Sequence, residues 1–460
     1  MDITFFGAAR EVTGSCHLVR VGRSTVVLDF GLFQGRRAET HERNLAVPFA
    51  PEQLNAVVLS HAHIDHSGRL PLLARYGFDR PVYATPATRD LCAIMLADSA
   101  HIQEKDAEFL ARHGKAVASP LYNQRDVARL MSKMTSVPYH APFDVAPGIR
   151  ATFVDAGHIL GSASVVLDCV EDGVSRRLVF SGDVGRWGLP IIRDPEPPTG
   201  ADVVIMESTY GNRDHPSVAQ LPDELGRIVR ETAAKGGRVL IPAFAVGRTQ
   251  ELLYDLHRLT RAGSIPPIPI VLDSPLAIAA TSVFATNPDA FDRGEELVTA
   301  VDDLFDFSRL EFARDAVASK ALNDRHGPMV IIAASGMAES GRILHHLARG
   351  APDPRNTILI VGFQAEHTLG RRIVERRPTL KIFGDEVPLR ARVEILNGYS
   401  AHADRGELRR WLAAVRGSPD RKLPVHLVHG EPGAQDALAA TLRGDGYSVT
   451  TPERGTRQTF

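Results

Sequence analysis

Four potential metal ligands stand within six consecutive positions, directly after an apolar run of the sequence. They are His61, His63, Asp65 and His66, which form the pattern HxHxDH. Imidazole and carboxylate groups are the usual protein ligands of zinc and of similar divalent ions. On a turn that leads into a helix, the first two histidines can face one ion while the other two residues face a second. The pattern therefore predicts a dinuclear metal site; the alternative is a polar loop that happens to be rich in histidine.

Three residues from distant parts of the chain could complete such a site. His158 lies in a glycine-flanked turn, Asp183 follows one apolar run and His429 follows another. Each of them alone is equally well explained as an ordinary turn or strand end. Together they supply the ligands that an HxHxDH loop needs, and Asp183 is well placed to bridge two ions. Because such a site activates water, the chain is predicted to be a metal-dependent hydrolase.

The elements that must position these residues begin with short β-rich runs that alternate with turns. The runs that end in a polar cluster are residues 25–29, 56–60, 177–181 and 201–207. Continuous apolar strands with polar groups at their ends predict a sheet that is buried on at least one face.

From about Gly236 the pattern changes to repeated strand–loop–helix units. Their strands are predicted at residues 237–242, 268–272, 329–333 and 357–361. Repeated βα units favour a mostly parallel sheet with binding loops at the carboxyl ends of its strands. After about Arg392 the first pattern returns. We therefore expect one domain built from residues 1–208 and 392–460, with a second, α/β domain inserted at 209–391.

Composition and charge place the chain among ordinary globular proteins. Of its 460 residues 44% are hydrophobic and 23% are charged, and the formal net charge of −2 excludes a generally basic nucleic-acid coat protein. No apolar run approaches the ~20 residues that a bilayer span needs, and the first six residues resemble a strand rather than a signal peptide. Cys16, Cys92 and Cys169 lie far apart, which predicts buried free thiols and a reducing cytoplasm.

Taken in order, these residues resemble the metallo-β-lactamase superfamily, and within it the β-CASP branch of nucleases. That branch includes the J-type ribonucleases and the endonuclease subunit of eukaryotic pre-mRNA 3′-end processing. The motifs that carry the resemblance span nearly the whole chain: Asp29, HxHxDH, His158, Asp183, residues 207–211, 247–251, 273–275, 335–337 and 398–404, and His429. The implied fold is an α/β, αββα sandwich with an inserted α/β domain that contains a mostly parallel sheet. The chain looks most like the short bacterial or archaeal members, which consist of this two-domain core alone.

The resemblance also implies a set of metal ligands. The ligands of one zinc ion would be His61, His63 and His158. Those of the other would be Asp65, His66 and His429, with Asp183 as the bridge. Because no ligand is missing, the resemblance implies an active enzyme with two zinc ions, which Mn²⁺ could replace in vitro.

The catalytic residues implied by the resemblance are Asp65, His402, Glu207 and Asp29. Asp65 would orient the attacking water or accept its proton, and His402 would protonate the leaving 3′-oxygen of a phosphodiester. Glu207 matches the family's acidic motif and would hold His402 protonated. Asp29 would orient the ligand loop through hydrogen bonds. The alternative for His402 is a capped surface turn.

The inserted domain supplies candidates for contacts with a phosphate backbone, because helix N-termini and glycine-rich loops favour anions. These candidates are Arg248, Ser335, Gly336, Gln364 and Ser400, with Arg342 as a further one. Ordinary helix capping is the alternative for each. Aromatic residues are only 6% of the chain, so extensive base stacking is not indicated. His257, His345 and His346 are expected at a helix surface or an interface rather than at a metal.

The function predicted from these features is hydrolysis of single-stranded RNA, by endonucleolytic or 5′-to-3′ exonucleolytic cleavage. The choice of RNA over DNA rests on the resemblance. A hydrolase of a small ester, thioester, lactone or phosphodiester is one alternative, but a small substrate needs no second domain. A non-catalytic RNA-binding subunit is another, and the complete ligand set argues against it. RNA is thus the expected partner, a homodimer is expected, and a membrane is not.

Overall fold

The computed structural model describes residues 1–35, 37–112, 119–292, 307–362, 364, 367–418, 420 and 422–460. These residues form two compact units. Unit 1 consists of Met1–Trp187, Ile192–Asp214 and His402–Phe460, and unit 2 of Gly188–Ile191 and His215–Ala401. The main borders therefore fall at residues 214/215 and 401/402, whereas the sequence suggested 208/209 and 391/392.

Two mixed β-sheets form the centre of the described part of unit 1. The strands of sheet 1 are β1 (Asp2–Gly7), β2 (Cys16–Val21), β3 (Ser24–Leu28), β4 (Ala56–Val58), β5 (Val82–Ala84), β6 (Met134–Ser136) and β22 (Arg457–Thr459). The strands of sheet 2 are β7 (Phe143–Ala146), β8 (Ile149–Asp155), β9 (Ala163–Glu171), β10 (Val174–Phe180), β11 (Val203–Met206), β20 (Pro424–Leu427) and β21 (Ser448–Thr450). Their spatial orders are β22-β1-β2-β3-β4-β5-β6 and β21-β20-β11-β10-β9-β8-β7.

The two sheets pack face to face, and helices lie outside them. The helices of unit 1 are α1 (Arg37–Leu45), α2 (Ile64–Ser67), α3 (Leu70–Arg75), α4 (Pro86–Arg112), α5 (Gln124–Met131), α12 (Arg405–Arg416) and α13 (Pro432–Gly444). Phe5 of sheet 1 and Leu178 of sheet 2 belong to one apolar core between the sheets. Trp411 of α12 and Leu438 of α13 share a second core with Val425 of sheet 2. Each layer buries one apolar face against the next, which gives the expected αββα sandwich.

Unit 2 is built on a parallel sheet. Its strands are β12 (Arg238–Pro242), β13 (Ile270–Leu272), β14 (Leu310–Phe312), β15 (Met329–Ala333), β16 (Thr357–Ile360) and β19 (Arg392–Ile395), with β17 (Thr379–Ile382) and β18 (Asp385–Pro388) as a separate antiparallel pair. Its described helices are α6 (Leu221–Ala234), α7 (Arg248–Arg261), α8 (Pro275–Thr286), α9 (Ala316–Ala321), α10 (Ile343–Gly350) and α11 (Leu369–Val374). The sheet order is β14-β13-β15-β12-β16-β19, and every neighbouring pair is parallel.

Two details of unit 2 differ from the sequence expectations. Strand β19 pairs with β16 of the parallel sheet, so residues 392–401 lie in unit 2 and not in the returning first domain. A short apolar run cannot specify which sheet it joins, because that depends on contacts distant in sequence. His346, expected at a helix surface or an interface, is buried within unit 2, and its Nε2 lies 2.6 Å from Oδ2 of Asp273. The carboxylate partner makes burial of this polar ring favourable.

Other expectations agree with the structure. Cys16, Cys92 and Cys169 are free and buried. Among the described helices, none combines the length and the apolar character that crossing a membrane requires.

Candidate metal centre

The HxHxDH segment follows the carboxyl end of β4 and runs into α2. A neighbouring loop after β3 holds it in place through backbone hydrogen bonds. Phe30 N–H donates to the carbonyl of His66 at 2.8 Å, and Leu32 N–H donates to that of Ile64 at 2.8 Å. Because β3 and β4 are parallel neighbours, the two loops emerge at the same edge of sheet 1. This edge carries four of the candidate ligands.

The remaining candidate ligands follow strands of sheet 2. Asp183 comes after β10 and His429 after β20, while His158 lies in the turn between β8 and β9. Strands β10, β11 and β20 are parallel neighbours, so their carboxyl ends share one edge. The sandwich brings this edge to that of sheet 1.

The first group of ligand atoms comprises those of His61, His63, His158 and Asp183. Nδ1 of His63 lies 3.1 Å from Nε2 of His61 and 3.1 Å from Nε2 of His158. Oδ2 of Asp183 lies 3.4 Å and 3.5 Å from the same two nitrogens.

The second group comprises Asp65, His66 and His429. Nε2 of His429 lies 3.2 Å from Nε2 of His66 and 3.4 Å from Oδ2 of Asp65. Oδ1 of Asp183 lies 3.3 Å from Nε2 of His66. The two oxygens of Asp183 are therefore divided between the groups, as a bridging ligand requires.

The spacing within both groups fits a bound metal ion. Four ligands at about 2.0–2.1 Å from a tetrahedral ion lie about 3.3 Å from one another. Four of the distances in the first group and three in the second are 3.1–3.5 Å, which is the length of the edges of such a tetrahedron.

The charges of the groups suit a cation. Burial lowers the pKa of His61 well below its usual value and that of His63 to about 4, so both rings are neutral and can act as ligands. Burial alone would raise the pKa of Asp183, but the surrounding histidines hold it well below 3.8. Burial would likewise raise the pKa of Asp65, but the nearby rings of His429 and His66 lower that pKa to about 2.

His66 differs from the other candidate ligands in its charge state. Burial would lower its pKa, yet the carboxylates of Asp183 and Asp29 outweigh burial and raise the pKa well above 6.5. A bound ion must therefore displace a proton from this ring.

Asp29 forms hydrogen bonds with the HxHxDH segment and with the residue before it. Its Oδ2 lies 2.7 Å from Nδ1 of His66 and accepts from the hydroxyl of Ser60 at 2.9 Å, while its Oδ1 accepts from Ser60 N–H at 2.8 Å. Ser60 Oγ also lies 3.1 Å from Nδ1 of His61. Sequence reasoning missed Ser60; the signal was its position between an apolar strand and the first ligand.

His402 lies beside the second group. Its Nδ1 is 3.1 Å and 3.2 Å from the carboxylate oxygens of Glu207 and 3.9 Å from Oδ2 of Asp183. Glu207 is fully buried and also accepts from Val184 N–H at 2.7 Å. Burial would lower the pKa of His402, but the charges of Glu207 and Asp183 raise it to about 9. At neutral pH the ring of His402 is therefore protonated on both nitrogens and positively charged.

The phosphate candidates of unit 2 lie at one edge of its sheet. Arg248 begins α7 after β12, Ser335 and Gly336 follow β15, and Gln364 follows β16. Gln364 Nε2 donates to the carbonyl of Gly336 at 3.0 Å, and Ser335 Oγ accepts from Glu339 N–H at 3.1 Å.

Two of the candidates, Arg248 and Ser400, are buried within unit 2. The guanidinium of Arg248 forms an ion pair with Glu251. Ser400 follows a short 3₁₀ turn at Asn397–Tyr399. For the further candidate Arg342, Nη1 donates to Asp273 at 2.7 Å.

Three family models match the chain. They are a metallo-beta-lactamase superfamily model over residues 9–214, a Beta-Casp domain model over residues 249–373, and a Zn-dependent metallo-hydrolase RNA specificity domain model over residues 386–452. A protein of Thermus thermophilus named ribonuclease TTHA0252 is 40% identical over 458 residues, which cover 99% of each chain. The chain belongs to the metallo-β-lactamase, β-CASP family.

Other members of the β-CASP family match most of the chain as well. Transcription termination factor FttA of Methanosarcina mazei is 32% identical over 96% of this chain and 68% of its own. FttA of Pyrococcus abyssi is 34% identical over 98% of this chain and 70% of its own. A crystal structure of a protein of unknown function from Enterococcus faecalis V583 covers 100% of this chain and 99% of its own, with 13% identity and a TM-score of 0.53; it shows a likeness of fold alone.

Membership of the β-CASP family confirms the expected fold class and the expected class of enzyme. The chain is a metal-dependent hydrolase that binds divalent ions. Its cluster of histidine and aspartate ligand atoms in unit 1 has the geometry such ions need.

Proposed function

We propose that the chain is a zinc-dependent ribonuclease that hydrolyses phosphodiester bonds of single-stranded RNA. One observation carries the proposal: two groups of ligand atoms with tetrahedral spacing share Asp183, and the His402–Glu207 pair lies beside them. The match to an RNA specificity domain model and the relative named as a ribonuclease support RNA as the substrate.

The ligand types favour zinc. We assign His61, His63 and His158 to one zinc ion. We assign Asp65, His66 and His429 to the other, with Asp183 as the bridge. Tetrahedral sites rich in imidazole suit zinc, whereas Mn²⁺ prefers octahedral oxygen ligands. Replacement by Mn²⁺ in vitro stays a prediction.

The residues around the ions divide the chemistry among themselves. Two zinc ions held by these ligands would supply an activated water and would neutralise the charge of the phosphodiester. Asp65 is ionised and only partly buried, so it can orient the attacking water and accept its proton. His402 donates a proton to the leaving 3′-oxygen, and Glu207 holds the ring by its Nδ1. Asp29 acts through the orientation of His66 and does not touch the substrate.

In unit 2 we propose that the loops after β12, β15 and β16 bind RNA phosphates. Ser335, Gly336 and Gln364 lie at one edge of the sheet, where the loops after parallel strands favour anions. Arg248 would exchange its partner Glu251 for a phosphate, and Ser400 is retained as a further contact.

A reducing cytoplasm and a homodimer belong to the same proposal. The three free, buried cysteines support the reducing compartment. The homodimer rests on the resemblance to the family.

The role of His402 is tested with one variant, and the choice of RNA is tested with three substrates: a single-stranded RNA, a thioester and a small phosphodiester. His402→Ala should lower cleavage of a 5′-labelled single-stranded RNA by about 10²–10⁴-fold, because it removes the proton donor. Its zinc content should stay at two ions per chain. His101→Ala, at an exposed position of α4, serves as the control and should retain wild-type cleavage.

The outcomes separate the competing functions. Loss of zinc from His402→Ala would make His402 a ligand, and retained cleavage would exclude it as the acid. Wild-type turnover of a thioester or a small phosphodiester in place of RNA would favour the small-substrate hydrolase. RNA binding without turnover of any substrate would favour a non-catalytic subunit.

A further inference from the structure

Thr209 lies against the metal ligand His429. It follows β11, and only 6% of its surface is exposed. Its Oγ1 is 3.1 Å from Nδ1 of His429 and 3.2 Å from the carbonyl oxygen of the same residue. The hydroxyl therefore contacts both the ring and the backbone of one ligand.

The two contacts of this hydroxyl determine where His429 carries its ring proton. A hydroxyl group has a single hydrogen, and a carbonyl oxygen can only accept. Because Thr209 Oγ1 donates its one hydrogen to the carbonyl of His429, it accepts from Nδ1–H of the ring. Nε2 is then unprotonated, and this is the nitrogen that lies 3.2 Å from Nε2 of His66 and 3.4 Å from Oδ2 of Asp65. Nδ1 also lies 3.4 Å from Oδ1 of Asp183, but that oxygen makes no hydrogen bond with the described residues.

We propose that Thr209 is a positioning residue that fixes the tautomer and ring orientation of His429, and so sets the zinc affinity of the Asp65–His66–His429 site. The inference rests on the ligand set of the proposed function. Thr209 would support His429 in the way that Asp29 supports His66. In each ring Nδ1 contacts an oxygen, and Nε2 points toward the other members of the second ligand group.

The backbone around Thr209 supports the same role. His429 has a φ of 47°, in the left-handed region that residues other than glycine rarely adopt. Ser208 N–H donates to the carbonyl of His429 at 3.1 Å, and Ser208 Oγ donates to that of Val428 at 2.7 Å. The two residues after Glu207 thus hold both the main chain and the ring of His429.

The same short segment also supports the proposed acid. Thr209 N–H donates to Oε2 of Glu207 at 3.2 Å, and Glu207 contacts His402. One turn after β11 therefore positions a metal ligand on one side and the proton donor on the other. Loss of the Thr209 hydroxyl leaves the backbone bond to Glu207 in place, so its effect is confined to His429.

The test is zinc binding to the metal-free protein, measured by competition with a chromophoric chelator. Thr209→Val keeps the shape of the side chain but removes the hydroxyl. It should weaken zinc binding at one of the two sites by about 10–100-fold, with the other site unchanged. Thr209→Ser restores the hydroxyl and should restore the affinity. Thr232→Val removes a buried hydroxyl of unit 2, bonded to Thr357 at 2.7 Å, and should alter neither site.

Each outcome decides a different point. Wild-type affinity at both sites of Thr209→Val, an equal loss at both sites, or failure of Thr209→Ser to restore binding would overturn the role of Thr209. A wild-type protein that binds fewer than two zinc ions would instead overturn the proposed ligand set. If Thr209→Val does not fold, the ring ¹⁵N signals of His429 in the wild-type protein decide: protonation at Nδ1 supports the inference, and protonation at Nε2 refutes it.

Discussion

His17 is a polar side chain in the middle of the core between the two sheets of unit 1. It is fully buried, and the ring centres of Phe5 and Phe180 lie 5.5 Å and 5.4 Å from its own. Neither ring nitrogen has a hydrogen-bond partner among the described residues. Burial, aided by the nearby His66 and His429, lowers the pKa of His17 to about 3. The folded protein therefore keeps this ring neutral.

The pKa of His17 predicts a loss of stability in mild acid. Below pH 6.5 the unfolded chain takes up a proton at this position and the folded chain does not, so the stability present above pH 6.5 is lost as the pH falls toward 3. At pH 5 the loss is about 2 kcal/mol. His17→Leu removes the titrating ring. Between pH 7 and pH 5 the free energy of unfolding of this variant should therefore fall by about 2 kcal/mol less than that of the wild type. Urea unfolding followed by tryptophan fluorescence measures the difference.

A control separates this effect from the titration of other groups. His101→Leu replaces an exposed histidine of α4 and should leave the acid dependence close to that of the wild type. If the free energy of unfolding fell equally with pH in His17→Leu and in the wild type, His17 would be protonated or hydrogen-bonded in the folded state.

At the scale of elements, the loop after β3 acts as a clamp on the ligand loop. Arg69, at the start of α3, is 1% exposed, and its guanidinium lies 4.2 Å from the ring centre of Phe30 and 4.7 Å from that of Phe33. Its Nε donates to the carbonyl of Gly31 at 2.5 Å, and its Nη1 donates to that of Ala46, just beyond α1, at 3.1 Å. One buried cation thus joins the two loops and the end of a helix.

Gly31, in the loop after β3, packs so closely against the HxHxDH segment that no side chain fits at this position. A Cβ there would lie 1.5 Å from the carbonyl oxygen of Asp65 and 2.7 Å from the nitrogen of His66. Both neighbours are backbone atoms of the ligand loop, so that loop must move. We predict that Gly31→Ala destabilises unit 1 by about 3 kcal/mol and weakens zinc binding at the Asp65–His66–His429 site.

The matched control for that substitution is Gly433→Ala in the first turn of α13, where an added Cβ meets nothing within 4 Å. It should match the wild type in chelator competition and in urea unfolding. Unchanged zinc affinity in Gly31→Ala would show that the clamp does not position the ligands.

At the scale of the whole molecule, the proposed ligands come from both sheets of unit 1. The HxHxDH loop comes from sheet 1, whereas His158, Asp183 and His429 come from sheet 2. Bound zinc ions would therefore cross-link the two halves of the sandwich and offset the repulsion between their buried carboxylates. Metal binding is expected to contribute to the stability of unit 1 as well as to catalysis.

Unit 1 can be followed by itself, because both tryptophans of the chain, Trp187 and Trp411, belong to it. At a free zinc concentration of 100 times the dissociation constant, each site should add about 2.7 kcal/mol to the free energy of unfolding. The urea concentration at the midpoint of unfolding, measured by tryptophan fluorescence, should therefore be higher in the presence of zinc than in the presence of a chelator. Asp183→Asn, which weakens the bridge, should lose most of this rise; an identical midpoint with and without zinc in the wild type would refute the ligand set.

The sequence alone determined the types and order of the candidate ligands and the strands that carry them. Short apolar runs and their periodicity indicate strands and helices from local sequence alone, and polar clusters indicate where the strands end. For this reason HxHxDH, Asp183 and His429 could be placed at strand ends, and the αββα sandwich with its inserted parallel sheet could be predicted as a class.

The tertiary structure alone decided which side chains meet. Strand Arg392–Ile395 joined the sheet of unit 2, and His346 became buried through its contact with Asp273. Thr209 reached His429, 220 positions away in the sequence. These pairings depend on parallel strands that bring distant loops to one edge of a sheet, and no local pattern encodes which strand becomes which neighbour. The HxHxDH loop could therefore be recognised from its own residues, whereas the groups that orient its partners could only be read from the fold.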